Sequence, residues 1–425
     1  DPASSLPGKI LRPPRVDDVR NLNTFVRTYR NAARQRGSLT PELDRMAEAA
    51  LRASPPRPPT AESETRDYTT AYRMLTQLLV RLPGGEWTNE MEFASAFDFQ
   101  IRASILAPGE PGTYRIEPWF TTGWTPPSAL TARVELRSFA GQAVATRDVA
   151  VKEFRPYSGS FQTARLQPGR YLVRYDLLGG AGKPLASADR EFQVSRDAKR
   201  KAAALNAKLP QLRPHQTRGA SYAIAAEAAE YIGGIVGRAC QEFLAADRWQ
   251  QSHPFLFRLI RGSSIDAAGR NLFDLDRDLG LAEGLAEDLV HGRDPFGNRA
   301  GDMHLAYRSG VDRTLQPFRI FIPEGFDRSR KHPLVVALHG GGSNENAYLD
   351  RYLSPRTGKS LIKQLGQERG YIVVAPKGRD ASSVYVGDAE QDVLDVLDRV
   401  EKLYPIEQSF LTGHSMGGTG TWRIG

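Results

Sequence analysis

Hydrophobic positions along the chain change their spacing three times, and each change marks a new kind of predicted structure. Between residues 14 and 37, apolar side chains recur every three or four positions, as on one face of a helix: Val16, Val19, Leu22, Val26 and Tyr29. Thr40 before Pro41 predicts the capped start of a second helix, and a third helix is predicted over residues 60–82. We therefore expect residues 1–91 to form a helical N-terminal region.

After Trp87 the spacing becomes two, which is typical of strands with one buried face. Phe93, Phe97, Phe99 and Ile101 alternate with small or polar residues. Glycine and proline turns then separate further strand-like runs, over residues 131–139, 143–152 and 170–177. Several short strands at this spacing predict an immunoglobulin-like β-sandwich over residues 92–195. The chain lacks the paired cysteines of antibody domains, so this prediction concerns architecture alone.

Helical spacing returns over residues 196–299, which we interpret as a helical connector. From residue 300 the pattern changes to that of an α/β domain. Two continuous apolar runs, residues 334–338 and 371–375, are typical of parallel strands covered by helices on both faces. Helices are predicted over residues 360–369 and 388–403. The predicted fold class is multidomain: a helical N-terminal region, an immunoglobulin-like β-sandwich, a helical connector and, over residues 300–425, part of a doubly wound α/β domain.

Composition agrees with several globular parts, because 425 residues correspond to about three domains. Basic residues exceed acidic ones by 57 to 49, a net charge of +8, and the surplus is concentrated between Arg196 and Arg218. No aromatic residue lies among these basic side chains, whereas single-stranded nucleic-acid surfaces usually interleave stacking rings with charge. We therefore predict a solvated helix face or linker and no nucleic-acid partner.

Cysteine content and hydropathy exclude further classes of protein. Cys240 is the single cysteine, so a disulfide scaffold and a cysteine-ligated zinc site are excluded. The most apolar helical run, residues 222–244, contains Glu227, Glu230 and Arg238, so we predict no membrane span. The chain opens at Asp1 without an initiator methionine, which we take to mean that a targeting segment was removed and that the protein is secreted or periplasmic.

The strongest candidate for chemistry is the segment Gly413-His414-Ser415-Met416-Gly417, which follows a short apolar run and precedes a predicted helix. A G-x-S-x-G motif at a strand-to-helix turn is a nucleophile elbow, in which glycines on both sides permit a strained serine and the close approach of neighbouring chains. Ser415 is therefore the candidate nucleophile. Gly413 and Gly417 are expected to support the turn.

A second motif lies upstream, where His339, Gly340, Gly341 and Gly342 follow the apolar run of residues 334–338. In acyl transfer the carbonyl oxygen gains negative charge, and backbone N–H groups must point at it. Glycines allow that exposed geometry. The predicted donors are the N–H of Met416 and one from Gly340 or Gly341, with Gly342 supporting the loop.

Four segments carry a resemblance to a known family: residues 307–309, 318–323, 338–342 and 411–418. They resemble the serine esterases grouped with polyhydroxybutyrate depolymerases, feruloyl esterases and predicted peptidases of the α/β-hydrolase fold. The resemblance covers roughly residues 300–425. It implies that Ser415 is the acylated nucleophile and that the Gly340–Gly342 loop with Met416 is the oxyanion hole. Some esterases of this kind also carry an N-terminal immunoglobulin-like domain.

The chain departs from that family in one respect. An α/β hydrolase places its triad acid and histidine after the nucleophile, yet ten residues follow Ser415 here. We therefore expect both partners to lie beyond residue 425, and the chain to be an inactive, truncated form of a longer esterase. His414 is expected to pack behind the elbow, and His339 to brace the oxyanion loop.

Other clusters receive a structural interpretation. His291, His304 and His332 have no nearby acid at metal-ligand spacing, so we assign no metal and no cofactor. Residues 358–360 resemble the end of a phosphate-binding loop, but Leu353 replaces its first glycine. Four aspartates at helical spacing are predicted to form a solvated helix face: Asp388, Asp392, Asp395 and Asp398.

The sequence therefore predicts a serine esterase that acts through an acyl-enzyme on Ser415, with polymeric or aryl esters among its candidate substrates. Two alternatives stay open. One is a serine peptidase or amidase of the same fold, and the other is a non-catalytic protein whose β-sandwich binds a polymer or partner. The oligomeric state is open as well.

Overall fold

The computed structural model describes residues 11, 16–55, 66–180, 182–242, 274–297, 299–341, 343–351, 360–379 and 384–425. These residues form two compact units. The first takes the described residues up to Val194 together with Glu242, and the second takes Ser195–Gln241 and the described residues from 274 onward. Among the described helices, none is long and apolar enough to cross a membrane.

The first unit begins with four helices: α1 Val16–Gln35, α2 Pro41–Arg52, α3 Thr69–Arg81 and α4 Asn89–Ser95. The predicted cap of α2 is confirmed, since Thr40 Oγ1 accepts a hydrogen bond from the Leu43 N–H at 3.3 Å and Pro41 occupies the first helical position. The third predicted helix is confirmed from Thr69 onward. Residues 60–65 lie outside the described residues.

Helix α4 corrects the strand predicted from Phe93. Thr88 caps this helix by accepting a hydrogen bond from the Met91 N–H at 3.2 Å, and Glu90 and Glu92 complement its positive end. The strand therefore starts at Phe97. Phe93 and Phe97 are four residues apart and their ring centroids lie 5.1 Å from each other. The alternating hydrophobic pattern in the sequence therefore spans the end of helix α4 and the start of strand β1.

Two sheets complete the first unit. Three strands pair antiparallel in the order β1, β3, β6, and five pair in the order β2, β8, β7, β4, β5. The strands are β1 Phe97–Ile101, β2 Ile105–Leu106, β3 Gly112–Pro118, β4 Leu130–Ser138, β5 Ala143–Val151, β6 Tyr157–Phe161, β7 Gly169–Leu178 and β8 Pro184–Val194. Helices and both sheets share one buried core, in which Leu75 of α3, Phe99 of β1 and Tyr175 of β7 take part. The immunoglobulin-like topology and the four domain boundaries stay predictions.

A buried carboxyl on β8 gives the first unit a pH dependence. Burial raises the pKa of Glu191 to about 7, against the opposing hydrogen bond from Arg170. A carboxyl whose pKa is higher in the folded state stabilises the fold fully below its ordinary pKa, and this contribution is lost as pH rises through 7. Because of Glu191, the free energy of unfolding of the wild type should fall by up to about 3 kcal/mol between pH 5 and 8, and Glu191→Gln should not show this fall. Urea unfolding at both pH values measures it.

The matched control for that prediction is Glu153→Gln, because Glu153 is exposed on the same unit. Its pH profile should follow the wild type. Parallel profiles for the wild type and Glu191→Gln would contradict the proposed effect of burial.

The second unit begins with helices α5 Ala198–Leu212, α6 Ala220–Ala239 and α7 Leu275–Val290, with a 3-10 helix, Arg213–Arg218, between α5 and α6. The basic run lies on α5 and the 3-10 helix, and two of its lysines are paired with α7. Lys201 Nζ lies 3.0 Å from Glu283 Oε2, and Lys208 Nζ lies 2.6 Å from Glu287 Oε1. Part of the positive charge is therefore neutralised within the unit.

The five-stranded sheet of the second unit has the order β13, β11, β12, β10, β9. Its strands are β9 Gly301–Arg308, β10 Leu315–Ile322, β11 His332–Leu338, β12 Ile372–Pro376 and β13 Ile406–Gly413. The pairs β11–β12 and β11–β13 are parallel, whereas β10 pairs antiparallel with β9 and β12. The two apolar runs form β11 and β12, as predicted. Between and after the strands lie α8 Glu345–Arg351, α9 Leu361–Arg369, α10 Asp388–Leu403 and α11 Met416–Ile424.

Helices α6 and α7 pack against β9, the edge strand of this sheet. Arg308 at the end of β9 donates its N–H to Glu227 at 3.1 Å, and its guanidinium reaches Glu230 at 2.7 Å. The described helices of the segment predicted as a connector therefore belong to the same compact unit as the α/β sheet.

Candidate functional site

Ser415 lies at the sharp turn between β13 and α11. Its backbone has φ 55° and ψ −114°, and its side chain is exposed. A non-glycine residue at positive φ costs about 1–3 kcal/mol and persists where the surrounding structure enforces it. The strain holds the hydroxyl at the carboxyl end of the sheet.

The two glycines that flank Ser415 are required by close contact. A Cβ at Gly413 would lie 2.2 Å from the carbonyl oxygen of Gly417, and a Cβ at Gly417 would lie 2.0 Å from the carbonyl oxygen of Leu338. Since Leu338 ends β11, the first turn of α11 packs directly on the neighbouring strand. The sequence prediction of supporting glycines at 413 and 417 agrees with this packing.

The segment between β11 and α8 is the loop for which the sequence predicts an oxyanion hole, and we call its described residues, 339–341, 343 and 344, the oxyanion loop. A Cβ at Gly340 would be 3.1 Å from the His414 carbonyl oxygen and 3.6 Å from Ser415 Cβ. The Ser343 N–H donates to the Gly340 carbonyl at 3.2 Å. Gly342 lies outside the described residues. The structure thus brings Gly340 and Ser415 together from two parallel strands.

The N–H groups of Gly340, Gly341 and Met416 make no hydrogen bond to another described residue. Met416 is the first residue of α11, where backbone N–H groups have no partner within the helix and the helix dipole is positive.

His339 braces the oxyanion loop. Its ring is buried, with Nδ1 3.0 Å from the Gly340 carbonyl oxygen and Nε2 2.7 Å from the Lys377 carbonyl oxygen. The ring therefore links this loop to the segment that follows β12.

His414 differs from its prediction, because its side chain is exposed and does not pack behind the elbow. Its backbone supports the turn instead: the His414 carbonyl accepts a hydrogen bond from the Gly417 N–H at 2.9 Å. The reason is geometric, since the space behind the elbow is already filled by the contact between Gly417 and β11. No hydrogen bond joins Ser415 Oγ to an imidazole among the residues that the structure describes.

Tyr385 is a part of the site that the sequence did not indicate. Its ring is fully buried, its hydroxyl donates to the His339 carbonyl at 3.2 Å, and its backbone has φ 53°. A Cβ at Gly420 would lie 2.6 Å from the Tyr385 ring. Tyr385 therefore joins the oxyanion loop to α11. A lone tyrosine in a loop carries no pattern that would have revealed this role.

Asp392 corrects the prediction of a solvated aspartate face. Asp392 is buried, accepts a hydrogen bond from the Tyr307 hydroxyl at 2.9 Å and has its Oδ2 2.9 Å from Arg379 Nε. Burial raises its pKa, while the Tyr307 hydrogen bond and Arg379 oppose that rise. The sequence does indicate this burial, because Asp392 falls at helical spacing between the buried residues Ala389 and Val396.

His304 also departs from expectation, because two buried carboxylates face its ring. Asp278 and Glu345 lie on either side of it, and both are distant in sequence. His291 is exposed, and His332 contacts carbonyl oxygens of Asp327 and Gly370. Within the described ranges, no group of three or more His, Cys, Asp or Glu side chains could hold a metal ion.

The phosphate-loop resemblance at residues 358–360 falls partly outside the described residues. Its last residue, Ser360, caps α9 by accepting a hydrogen bond from the Lys363 N–H at 3.4 Å.

No family model matches the chain. A probable feruloyl esterase C of Aspergillus terreus is 32% identical over 107 residues, which are 24% of this chain and 38% of that protein. A dipeptidyl-peptidase 5 of Aspergillus oryzae is 35% identical over 88 residues, which are 21% of this chain and 11% of that protein. The chain therefore spans well under half the length of these curated relatives.

Solved structures give a similar result. A mutant of the feruloyl esterase module from Clostridium thermocellum, complexed with sinapinate, is 20% identical, with a TM-score of 0.25 and coverage of 30% of this chain and 50% of that one. An S-formylglutathione hydrolase from Agrobacterium tumefaciens is 18% identical, with a TM-score of 0.22 and coverage of 30% and 53%. Each of these two similarities covers 30% of this chain.

Proposed function

We propose that this protein is a serine hydrolase that cleaves carboxylic esters through an acyl-enzyme on Ser415. The observation that carries the proposal is the contact between Gly340 and the strained turn at Ser415. A Cβ at Gly340 would lie 3.6 Å from Ser415 Cβ, which supports our assignment of the N–H groups of Gly340, Gly341 and Met416 as the oxyanion donors. The partial sequence similarity to a feruloyl esterase supports the same chemistry.

The reaction follows from this geometry. Ser415 Oγ forms a bond to the ester carbonyl carbon, the hydroxyl proton passes to a base, and the carbonyl oxygen becomes an oxyanion facing the N–H groups. The bond from carbon to the leaving oxygen then breaks, and the alcohol departs with a proton. Water attacks the acyl-enzyme in the same way and releases the acid. We place the imidazole base and its acid outside the described residues.

An amide substrate is the second candidate, because 21% of this chain is similar to a dipeptidyl-peptidase. Elbow and oxyanion hole serve both reactions equally, since both pass through a tetrahedral oxyanion. Rates on p-nitrophenyl acetate, methyl ferulate and a dipeptide p-nitroanilide would separate the two. An ester rate that exceeds the anilide rate supports the esterase.

The proposal predicts that a fluorophosphonate probe labels Ser415 in a C-terminally extended form that contains the imidazole base and its acid, and this form is the wild type of the labelling experiments. The Ser415 Oγ–phosphorus bond forms, the phosphorus–fluorine bond breaks, and fluoride leaves while a base takes the proton. Ser415→Ala should stay unlabelled, as measured by mass spectrometry of the intact protein.

Ser409→Ala is the matched control, since Ser409 lies on the same strand and its hydroxyl faces Glu401 at 3.4 Å. It should label like the wild type. A wild-type protein without label, or equal labelling of Ser415→Ala, would show that Ser415 is not an activated nucleophile.

A further inference from the structure

A buried group of charged side chains lies where the oxyanion loop enters α8. His304 of β9 has no exposed surface, and its Nδ1 lies 3.2 Å from Asp278 Oδ2 of α7. Its Nε2 lies 3.4 Å from Oε1 of Glu345, the first residue of α8. The ring of Tyr231 on α6 packs edge-on against His304, with 5.5 Å between centroids. The histidine is thus enclosed by three helices and two carboxylates.

Charge holds this group together. Burial lowers the pKa of His304, but Asp278 and Glu345 outweigh burial and raise it above its ordinary value. Burial would raise the pKa of both carboxyls. His304 lowers the pKa of both, and Arg277 also lowers that of Asp278. The two carboxylates therefore favour the charged form of the His304 ring.

A second buried cation lies beside His304 on the sheet. His304 of β9 is the register partner of Arg319 of β10. Arg319 donates to Asn346 Oδ1 at 3.0 Å, while Asn346 Nδ2 donates to Glu345 Oε1 at 3.1 Å. Two neighbouring cations of the sheet thus hold two neighbouring residues at the start of α8.

This anchor is close to the oxyanion loop in the chain. Glu345 comes two residues after Ser343, whose N–H donates to the Gly340 carbonyl. The described part of the loop has glycines at 340 and 341, and glycines lack side chains that could restrict the backbone. The loop is therefore fixed from its two ends: His339 at its start and Glu345 just after its end.

We infer that Glu345 is a positioning residue: held by His304, it fixes the oxyanion loop so that the N–H groups of Gly340 and Gly341 point at the substrate oxygen. This inference rests on the proposed function for its consequence in catalysis. Donors of this kind act over about 2.7–3.1 Å, so a small shift of the loop weakens them strongly.

Hydrogen exchange of the loop amides tests the positioning without any need for activity. In Glu345→Ala, the Ser343 amide, which donates to the Gly340 carbonyl, should exchange at least about tenfold faster than in the wild type, while β12 amides keep their protection. Glu345→Gln keeps the shape and one acceptor oxygen for His304, so its exchange should be intermediate. If Glu345→Ala does not fold, the comparison of amide exchange between Glu345→Gln and the wild type decides whether Glu345 positions the loop.

Asp350→Asn is the matched control, because Asp350 lies on the same helix and binds Arg319 and Lys363 but not His304. It should lower stability and leave the exchange of the Ser343 amide unchanged. Wild-type exchange in both Glu345 variants, or equally fast exchange in Asp350→Asn, would overturn the inference.

Labelling by the fluorophosphonate then separates the inference from the proposed function. The saturating rate constant for labelling should fall about tenfold or more in Glu345→Ala, with less change in the half-saturating concentration. Faster loop exchange with a wild-type labelling rate would overturn the positioning role and leave Ser415 as the nucleophile. If the wild type is not labelled at all, the proposed function fails, and the exchange data alone decide whether Glu345 fixes the loop.

Discussion

Gly417→Ala is expected to abolish labelling of Ser415 and to destabilise the second unit. The new methyl group would lie 2.0 Å from the Leu338 carbonyl oxygen and 2.8 Å from the His339 carbonyl oxygen. Both contacts are backbone atoms, so either β11 or the first turn of α11 has to move. Overpacking of this kind costs about 1–3 kcal/mol, and occasionally more. Because the shift displaces the Met416 N–H, we expect the labelling rate to fall by about 100-fold or more.

Gly418→Ala provides a matched control one residue further along α11. A Cβ at Gly418 would meet its nearest neighbour, the Gly413 carbonyl oxygen, at an ordinary 3.7 Å. Alanine also favours a helix over glycine by up to about 1 kcal/mol. This variant should label like the wild type and unfold at equal or higher urea concentration. Equal labelling of both alanine variants would contradict the steric argument.

Asp302→Asn is expected to lower the free energy of unfolding of the second unit by about 3–5 kcal/mol, the range for breaking a buried ion pair. Asp302 lies between three cations: its Oδ2 is 2.9 Å from Lys363 Nζ and 3.2 Å from Arg277, and it also binds Arg319. The Arg319 side chain has no exposed surface, so after the change its charge is compensated mainly by Asp350. Urea unfolding at pH 7 measures the loss.

The sign of the pH effect gives this prediction a second test. Burial would raise the pKa of Asp302, but Arg319, Arg277 and Lys363 hold it far below its usual range. Its stabilising contribution is therefore present above the ordinary pKa near 4 and is lost as pH falls further. The difference between the wild type and Asp302→Asn should shrink only below about pH 4. Asp398→Asn removes an exposed ion pair with Lys402 and should behave like the wild type at both pH values.

Local patterns predicted the parts of the second unit that depend on neighbours in sequence. The apolar runs became β11 and β12, and the elbow formed where two glycines flank Ser415, because these features require no distant partner. In the first unit, Thr88 with Glu90 and Glu92 also indicates the start of α4, but the alternating phenylalanines favour a strand there.

The remaining features depend on residues that meet only in the fold. Asp392 is 85 residues from Tyr307, and His304 is 26 residues from Asp278. No spacing rule connects such positions, so the sequence predicts neither the hydrogen bond from Tyr307 to Asp392 nor the carboxylate beside His304. His414 was placed behind the elbow because the sequence does not show how closely Gly417 approaches β11.

The enclosure of His304 by α6 and α7 determines how this protein could be dissected. The patterns place a domain boundary near residue 300, but a polypeptide cut there would lose Asp278, Arg277 and Tyr231. The His304 ring would then lie in solvent with one carboxylate, and Glu227 and Glu230 would no longer hold the end of β9. The second compact unit therefore includes the helices that precede the sheet. A fragment intended to retain the cooperative unfolding of the second unit has to begin before Ala198.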